Sequence, residues 1–155
     1  MIKIVAVGKI KETSLKKLIA EYEKRLSGYT NVKIIEVNDE AITDKGLDQK
    51  VLTIEGERLL KQIKDKEYVI LVDLHGEMID SLKLADKLSS LNTYSHSDIT
   101  FVIGGSLGFS QDVIKRADWR WQLSHLTFTH QHTRLLVLEQ IYRSYKINNN
   151  ETYHK

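Results

Sequence analysis

Cysteine and proline are both absent from the 155 residues, and no apolar run approaches the roughly 20 residues that a membrane span needs. Without cysteine there is no disulfide and no thiolate metal site. The missing proline is unusual but carries no inference alone. The opening MIKIVAVGKI is too short and too soon charged for a secretory signal, which points to a cytoplasmic protein with no membrane partner. Strong charge of one sign is lacking as well: the net charge is +2, which by itself does not suggest a nucleic-acid partner. With 41 % apolar and 28 % charged residues the chain is of globular type, and its length fits one domain over 1–155 that buries about two-thirds of its unfolded surface.

The small net charge is unevenly spread. Residues 1–35 hold eight Lys/Arg against three Asp/Glu, and 115–155 hold seven against three with four of the six histidines, while 36–67 and 68–114 are net negative. Two basic ends on an acidic middle describe either a local phosphate-binding face or ordinary surface variation.

Strand and helix patterns alternate along the chain. IKIVAV (2–7) is a β-rich run, and a helix follows from about Ser14 to Ser27, with Leu15, Leu18, Ile19, Tyr22 and Leu26 on one face and Gly28 placed to end it. VKIIEV (32–37) is a second strand. The polar loop NDEAITDKG leads to a helix over about 47–64. EYVILVDL (67–74) is apolar through its centre, as expected of a strand buried on both faces of a parallel sheet. Asp80 or Ser81 can cap a helix to about Leu91. ITFVI (99–103) is a fourth strand, GGSLGFS a glycine loop, and Ser110 can cap a short helix to Ala117. WRWQL (119–123) is a fifth strand, a last helix spans about Gln131 to Ile147, and NNNETYHK forms a tail. Repeated β–α units with buried strands predict an α/β sandwich with a mostly parallel sheet.

Ligands of such sheets bind at the carboxyl ends of strands, and three places there invite chemistry. Gly8-Lys9 lacks the glycines of a phosphate loop or a dinucleotide fingerprint and reads as a plain turn. Gly104-Gly-Ser-Leu-Gly108 permits either close backbone approach to a ligand or merely a tight βα turn; following the fourth strand, it does not open a dinucleotide fold. Leu123 through His130 is unusually apolar for a loop. Either its backbone wraps the polar edge of a ligand such as adenine, or Leu123, Leu126 and Phe128 plug the core. In the last helix Leu135, Leu138, Ile141 and Tyr145, with Tyr142, form an apolar stripe suited to core or to a partner helix. Arg134, Glu139 and Arg143 lie near it, where surface solvation would explain any one of them. A tail such as Tyr153-His154-Lys155 is as a rule disordered.

In this order and spacing, Gly104 to Gly108, the block LSHLTFTHQHTRLLVLEQIYRSYKI and the terminal ETYHK resemble the RlmH family of SPOUT methyltransferases. The opening KIVAVGKIKE and the stretch AEYEKRL carry the resemblance from end to end. No single motif is specific; their joint occurrence is. The resemblance implies methyl transfer from S-adenosylmethionine to N3 of a pseudouridine in the helix-69 stem-loop of 23S rRNA, on the assembled ribosome. It also implies a homodimer and a C-terminal trefoil knot, which general rules of chain topology would not have suggested. Carried over by motif, the cofactor pocket comprises Val72, Gly104, Leu123, Ser124, His125, Leu126, Thr127 and Phe128, and a bulky residue at 104 is expected to abolish cofactor binding with the fold largely intact. Thr129 stands where the family has proline, which removes a rigid turn just before His130.

Methylating N3 requires the ring N–H to lose its proton, so a positioned base or an electrostatic clamp would help. A free imidazole titrates at about 6.5, which makes His130 and His154 the candidate bases. Arg134 and Arg143 could hold phosphates or the developing anion, and Tyr153 could stack on a flipped base. His154 is favoured, reaching across the dimer, and no metal is needed. A nucleotide- or flavin-binding module would need phosphate contacts in the first βα loop, and a non-catalytic RNA-binding dimer would tolerate a ruined cofactor loop.

Overall fold

The computed structural model describes residues 1–42, 46–94 and 98–155, so residues 43–45 of the polar loop lie outside the described residues. Strands β1 (Ile2–Val7), β2 (Val32–Val37), β3 (Tyr68–Met78), β4 (Ile99–Ile103) and β5 (Trp119–Gln122) form one sheet in the order β2-β1-β4-β3-β5, and each paired neighbour is parallel. Helices α1 (Thr13–Leu26), α2 (Asp48–Leu60), α3 (Ser81–Tyr94), α4 (Gln111–Arg116) and α5 (His130–Asn148) connect and follow them.

Period-2 alternation divides the central strands between two cores. Ile2, Ile4, Ile70 and Phe101 face α1, α3 and α5, meeting Leu15, Ile19, Leu84, Leu88, Val137, Leu138 and Ile141. Val5, Val7, Val69, Leu71 and Val102 face α2 and α4, meeting Leu59 and Val113. The central stretches of these strands are mostly apolar because both faces are covered. The stripe of the last helix is core: Leu138 and Ile141 are fully buried, and Leu135, Tyr142 and Tyr145 pack against the same cluster. The large apolar residue left outward on α5 is Leu136.

One charged pair sits inside, at the amino-terminal end of the sheet. The Lys3 ammonium donates to Glu67 Oε1 at 2.5 Å and to the Gln62 carbonyl, and Thr100 Oγ1 donates to Glu67 Oε2 at 2.8 Å. Burial alone would raise the Glu67 carboxyl, but the Lys3 and Thr100 hydrogen bonds outweigh it and hold it below the usual range.

Several boundaries differ from the sequence expectation for local reasons. Gly28 does not end α1 in a left-handed conformation; the Tyr29 and Thr30 N–H groups close the turn on the Leu26 carbonyl at 2.8 and 2.9 Å. Helix α2 stops at Leu60, short of 64, and the Gln62 carbonyl just beyond it serves Lys3 instead. Strand β3 runs past Leu74 to Met78 because it meets β5 twice: Trp121 pairs with both Val72 and Glu77. Between these pairings Gly76 lies flat on β5, where a Cβ would come within 2.6 Å of the Trp121 nitrogen. Caps are as expected, with the Lys83 N–H donating to Asp80 Oδ1 at 2.8 Å and the Val113 N–H to Ser110 Oγ.

Candidate functional site

Strand register assembles the first part of the site. Val72 pairs with Ile103 on one side and Trp121 on the other, so Gly104 and Leu123 follow just past this row, after the ends of β4 and β5; β3 itself runs on to Met78, which corrects the expectation that Val72 ends that strand. The glycine loop folds tightly on itself: the Gly108 N–H donates to the Gly105 carbonyl at 3.2 Å, and Gly108 is left-handed with φ of 86°. A Cβ on Gly104 would lie 2.8 Å from the Gly108 oxygen, and one on Gly105 would lie 2.9 Å from a Glu55 oxygen. These glycines are therefore demanded by the loop's own packing. A bulky residue at 104 would displace the loop, which corrects the expectation that it would spare the structure.

The 123–128 segment does not plug the core. Leu123 packs against it, but Leu126 is 70 % exposed and Phe128 is 42 % exposed, with His125 and Thr127 also outside. Its local order comes from the Leu126 N–H donating to Ser124 Oγ and from the Gln122 amide donating to the Ser124 carbonyl, both at 3.0 Å. Beside it lies a cavity of about 520 Å³ lined by Leu123, Ser124, Phe128, Trp121, Ile79 to Leu82, Leu84, Leu136, Gln140 and His154. Val72, Gly104, His125, Leu126 and Thr127 do not line this cavity.

Asp80, Ser81 and Gln140 belong to the cavity wall and were missed as site residues. Ser81 Oγ donates to Gln140 Oε1 at 2.7 Å, joining α3 to α5. The available signal was weak: Asp80-Ser81 reads as a cap, and Gln140 follows Leu136 by four, on one helix face.

Helix α5 separates the expected catalytic residues into two groups. At its start, Arg134 is 1 % exposed; its Nη1 meets Glu36 Oε2 at 2.5 Å and its Nη2 donates to the Gly8 carbonyl at 3.1 Å. His130 packs on Gly8, which is left-handed at φ 86° and whose Cβ would stand 2.9 Å from the ring. Among the described residues His130 Nδ1 and Arg134 Nε have no hydrogen-bond partner. Burial, then the Arg134 charge, push the His130 imidazole below its ordinary value. Gly8 is thus a turn, as expected, but one braced by these two side chains. Thr129 keeps φ at −60°, the angle a proline would impose, and its hydroxyl caps α5 by accepting from the His132 N–H, so the turn before His130 is retained.

Further along α5 a second group gathers. Arg143 Nη2 donates to Glu139 Oε1 at 2.5 Å, Tyr153 Oη donates to the same oxygen at 3.1 Å, and His154 Nδ1 lies 3.2 Å from Arg143 Nη1. The Arg143 guanidinium covers the Tyr153 ring at 4.8 Å, and Tyr142 meets that ring edge-on at 5.0 Å. Burial first, with hydrogen bonding to Tyr22 and the Glu139 charge, raises the Tyr153 hydroxyl. The tail is therefore ordered against its own helix, contrary to the rule for polar termini. Tyr153, His154 and Arg143 come together; His130 and Arg134 do not join them. The cluster can accept a proton on an imidazole at the cavity wall and can set a permanent cation beside an anionic oxygen.

A family model described as "Predicted SPOUT methyltransferase" matches residues 1–154. The "Ribosomal RNA large subunit methyltransferase H" of Lactobacillus acidophilus is 50 % identical over 157 residues, covering 99 % of each chain. The proteins of the same name from Ruminiclostridium cellulolyticum and Clostridium perfringens are 49 % and 47 % identical with the same coverage. The chain belongs to the RlmH family of SPOUT methyltransferases. Membership implies the C-terminal knot of the SPOUT fold, to which the mostly parallel five-stranded sheet conforms. Among the described residues, no group of three His, Asp or Glu could hold a metal ion, and no helix is long and apolar enough to cross a membrane.

Proposed function

We propose that this RlmH-family chain methylates large-subunit ribosomal RNA. It transfers a methyl group from S-adenosylmethionine to N3 of a pseudouridine in the helix-69 stem-loop of 23S rRNA, acting in the cytoplasm as a homodimer of single-domain chains on the assembled ribosome. The observation that carries this reading is one cavity lined both by Leu123, Ser124 and Phe128 of the 123–128 loop and by His154, whose ring stands against Arg143. Names of relatives half-identical over 99 % of their length support the ribosomal RNA substrate.

The residues present fit the cofactor. Large apolar side chains standing in solvent on a loop, Leu126 and Phe128, are what a flat purine would cover, and Ser124 with the loop backbone offers polar groups to its edge. Val72, Gly104 and Leu123 to Phe128 would hold it, at the strand ends where α/β sheets take ligands. The bound cofactor supplies an electrophilic methyl group. For the acceptor, we assign His154 to take the N3 proton and Arg143 to neutralise the charge that develops on the ring oxygens. Tyr153 fixes Arg143 through ring and Glu139 contacts; stacking on a flipped base would require it to leave them. His130 and Arg134, outside the cavity, are assigned to bracing the first βα turn rather than to the reaction.

Leu82, Phe128 and Leu136, exposed at the cavity, supply the apolar surface for a second copy. Light scattering is expected to give twice the 17.9 kDa chain mass. The decisive assay incubates the protein with labelled S-adenosylmethionine and unmodified ribosomes and maps the label; label on any other nucleotide, or none, defeats the assignment.

A second arrangement of the tail is favoured by one specific observation: His154 lines the cavity of its own chain. Mixing a chain truncated at 151 with one disabled in the cofactor loop separates the two arrangements. Activity regained on mixing means the tail serves the opposite protomer; none regained means it serves its own.

A further inference from the structure

Helix α5 ends in a built turn. Asn150 has φ of 55°, the one non-glycine residue with positive φ among those described. Its N–H donates to the Ile147 carbonyl at 3.0 Å, and the Glu151 N–H donates to the Lys146 carbonyl at 2.9 Å. This is the paired 5→2 and 6→1 closure that reverses a chain at a helix end, with asparagine in the left-handed position where glycine is commoner. The reversal aims the tail back along α5.

The first residue past the turn is then clamped. The Lys146 ammonium donates to Glu151 Oε2 at 2.5 Å, and the Tyr29 hydroxyl lies 2.8 and 2.9 Å from the two Glu151 oxygens. Lys146 also donates to the Tyr29 oxygen at 3.3 Å. Tyr29 belongs to the turn after α1, so the clamp ties the tail to a distant part of the chain. Its ring is wedged against Tyr142 and Tyr145, which keeps the hydroxyl in place. The Glu151 carboxyl is held below its ordinary range by the Lys146 and Tyr29 hydrogen bonds.

We propose that the Asn150 turn and the Glu151–Lys146–Tyr29 clamp form the positioning device of the methyl-acceptor site, an inference that rests on the role given to His154 above. Neither Asn150 nor the three clamp residues line the cavity. They determine where Tyr153 and His154 stand relative to Arg143. Freed at Asn150, a four-residue segment can sweep up to about 14 Å, whereas a misplacement of about 1 Å can cost roughly 100-fold in rate. The clamp lies at the surface, half-buried at Lys146 and Tyr29 and open at Glu151, and such a pair adds little to global stability. Its loss should therefore appear in catalysis and not in folding.

The test compares Asn150→Val, Glu151→Ala and Asn150→Gly in the full-length protein, with a chain truncated after Glu151 alongside. A β-branched residue opposes the left-handed turn, alanine removes the clamp, and glycine favours the turn. Methyl transfer to ribosomes, calorimetric binding of S-adenosylmethionine, and amide hydrogen exchange of residues 151–154 are measured. Asn150→Val and Glu151→Ala should lower kcat by about 10- to 100-fold with unchanged cofactor affinity and lost amide protection, while Asn150→Gly keeps the parent rate and protection. If the tail stays protected in both impaired variants, or loses protection with the parent rate retained, the positioning role is overturned. In that case an inactive truncated chain shows that the reading of the tail itself survives. A fully active truncated chain instead removes the tail from catalysis, and the proposed device with it. Should Asn150→Val fail to fold, Glu151→Ala carries the same comparison.

Discussion

Near the start of α5, Arg134 is buried with 1 % of its side chain exposed and holds Glu36; further along the same helix, Arg143 keeps 24 % exposure and holds Glu139 at the same 2.5 Å. The two pairs share chemistry and differ in surroundings. Around Arg134 lie the Gly8 backbone and the His130 ring, so the guanidinium has no route to a ligand without unfolding the first βα turn. Around Arg143 lie the Tyr153 ring and the imidazole of His154, and His154 lines the cavity, so the charge stands one side chain away from open space. A guanidinium–carboxylate pair is therefore a scaffold or a tool according to how much water it has lost.

The contrast should show most strongly in stability. Glu36→Ala leaves the buried Arg134 charge without a counter-ion and is expected to cost about 3 kcal/mol, read from urea unfolding. The matching change at the other pair, Glu139→Ala, should cost less than about 1 kcal/mol. Equal losses would erase the distinction. Next comes activity: Arg143→Ala should lower methyl transfer by about 100-fold or more with S-adenosylmethionine affinity retained. An unimpaired Arg143→Ala enzyme would leave the outer pair with no more function than the inner one.

A smaller effect is expected from His130. Burial beside Arg134 depresses the His130 imidazole below 6.5, so the unfolded chain binds its proton more readily than the folded one. Folding stability should thus fall as pH drops below about 6.5. Urea midpoints between pH 7.5 and 5.5 should fall less in His130→Gln than in the parent, and an equal fall would remove the burial of His130 as the cause. The smallest effect is at Thr129. Thr129→Pro loses the cap on the His132 N–H but keeps φ near −60°, so unfolding free energy should move by less than about 1 kcal/mol. A larger loss would mean that the cap, and not the backbone angle, holds the entry to α5.

Much of the fold was legible because its signals are local. The runs IKIVAV, YVILVDL and ITFVI are apolar on both faces, and Asp80, Ser110 and the stripe of α5 announce helix starts and a core face within a few residues. Strand β3 was read to Leu74 because His75, Gly76 and Glu77 break the apolar run; only their return to β5 around Gly76 makes them strand. The candidate site was legible as a set of residues through the resemblance, since motif and order survive in a linear string.

What a linear string does not carry is which of two identical side chains is buried. Composition and periodicity by themselves determined an α/β sandwich without disulfides, and the joint motifs determined the family. Tertiary structure alone decided that Arg134 and His130 brace a turn while His154, set against Arg143, lines a cavity. It also decided that the polar tail is ordered, because Tyr142 and Glu139 on the preceding helix and Tyr29, remote in sequence, supply its partners. Burial and pairing are sums over contacts made by segments more than a hundred residues apart, and no local pattern encodes such a sum.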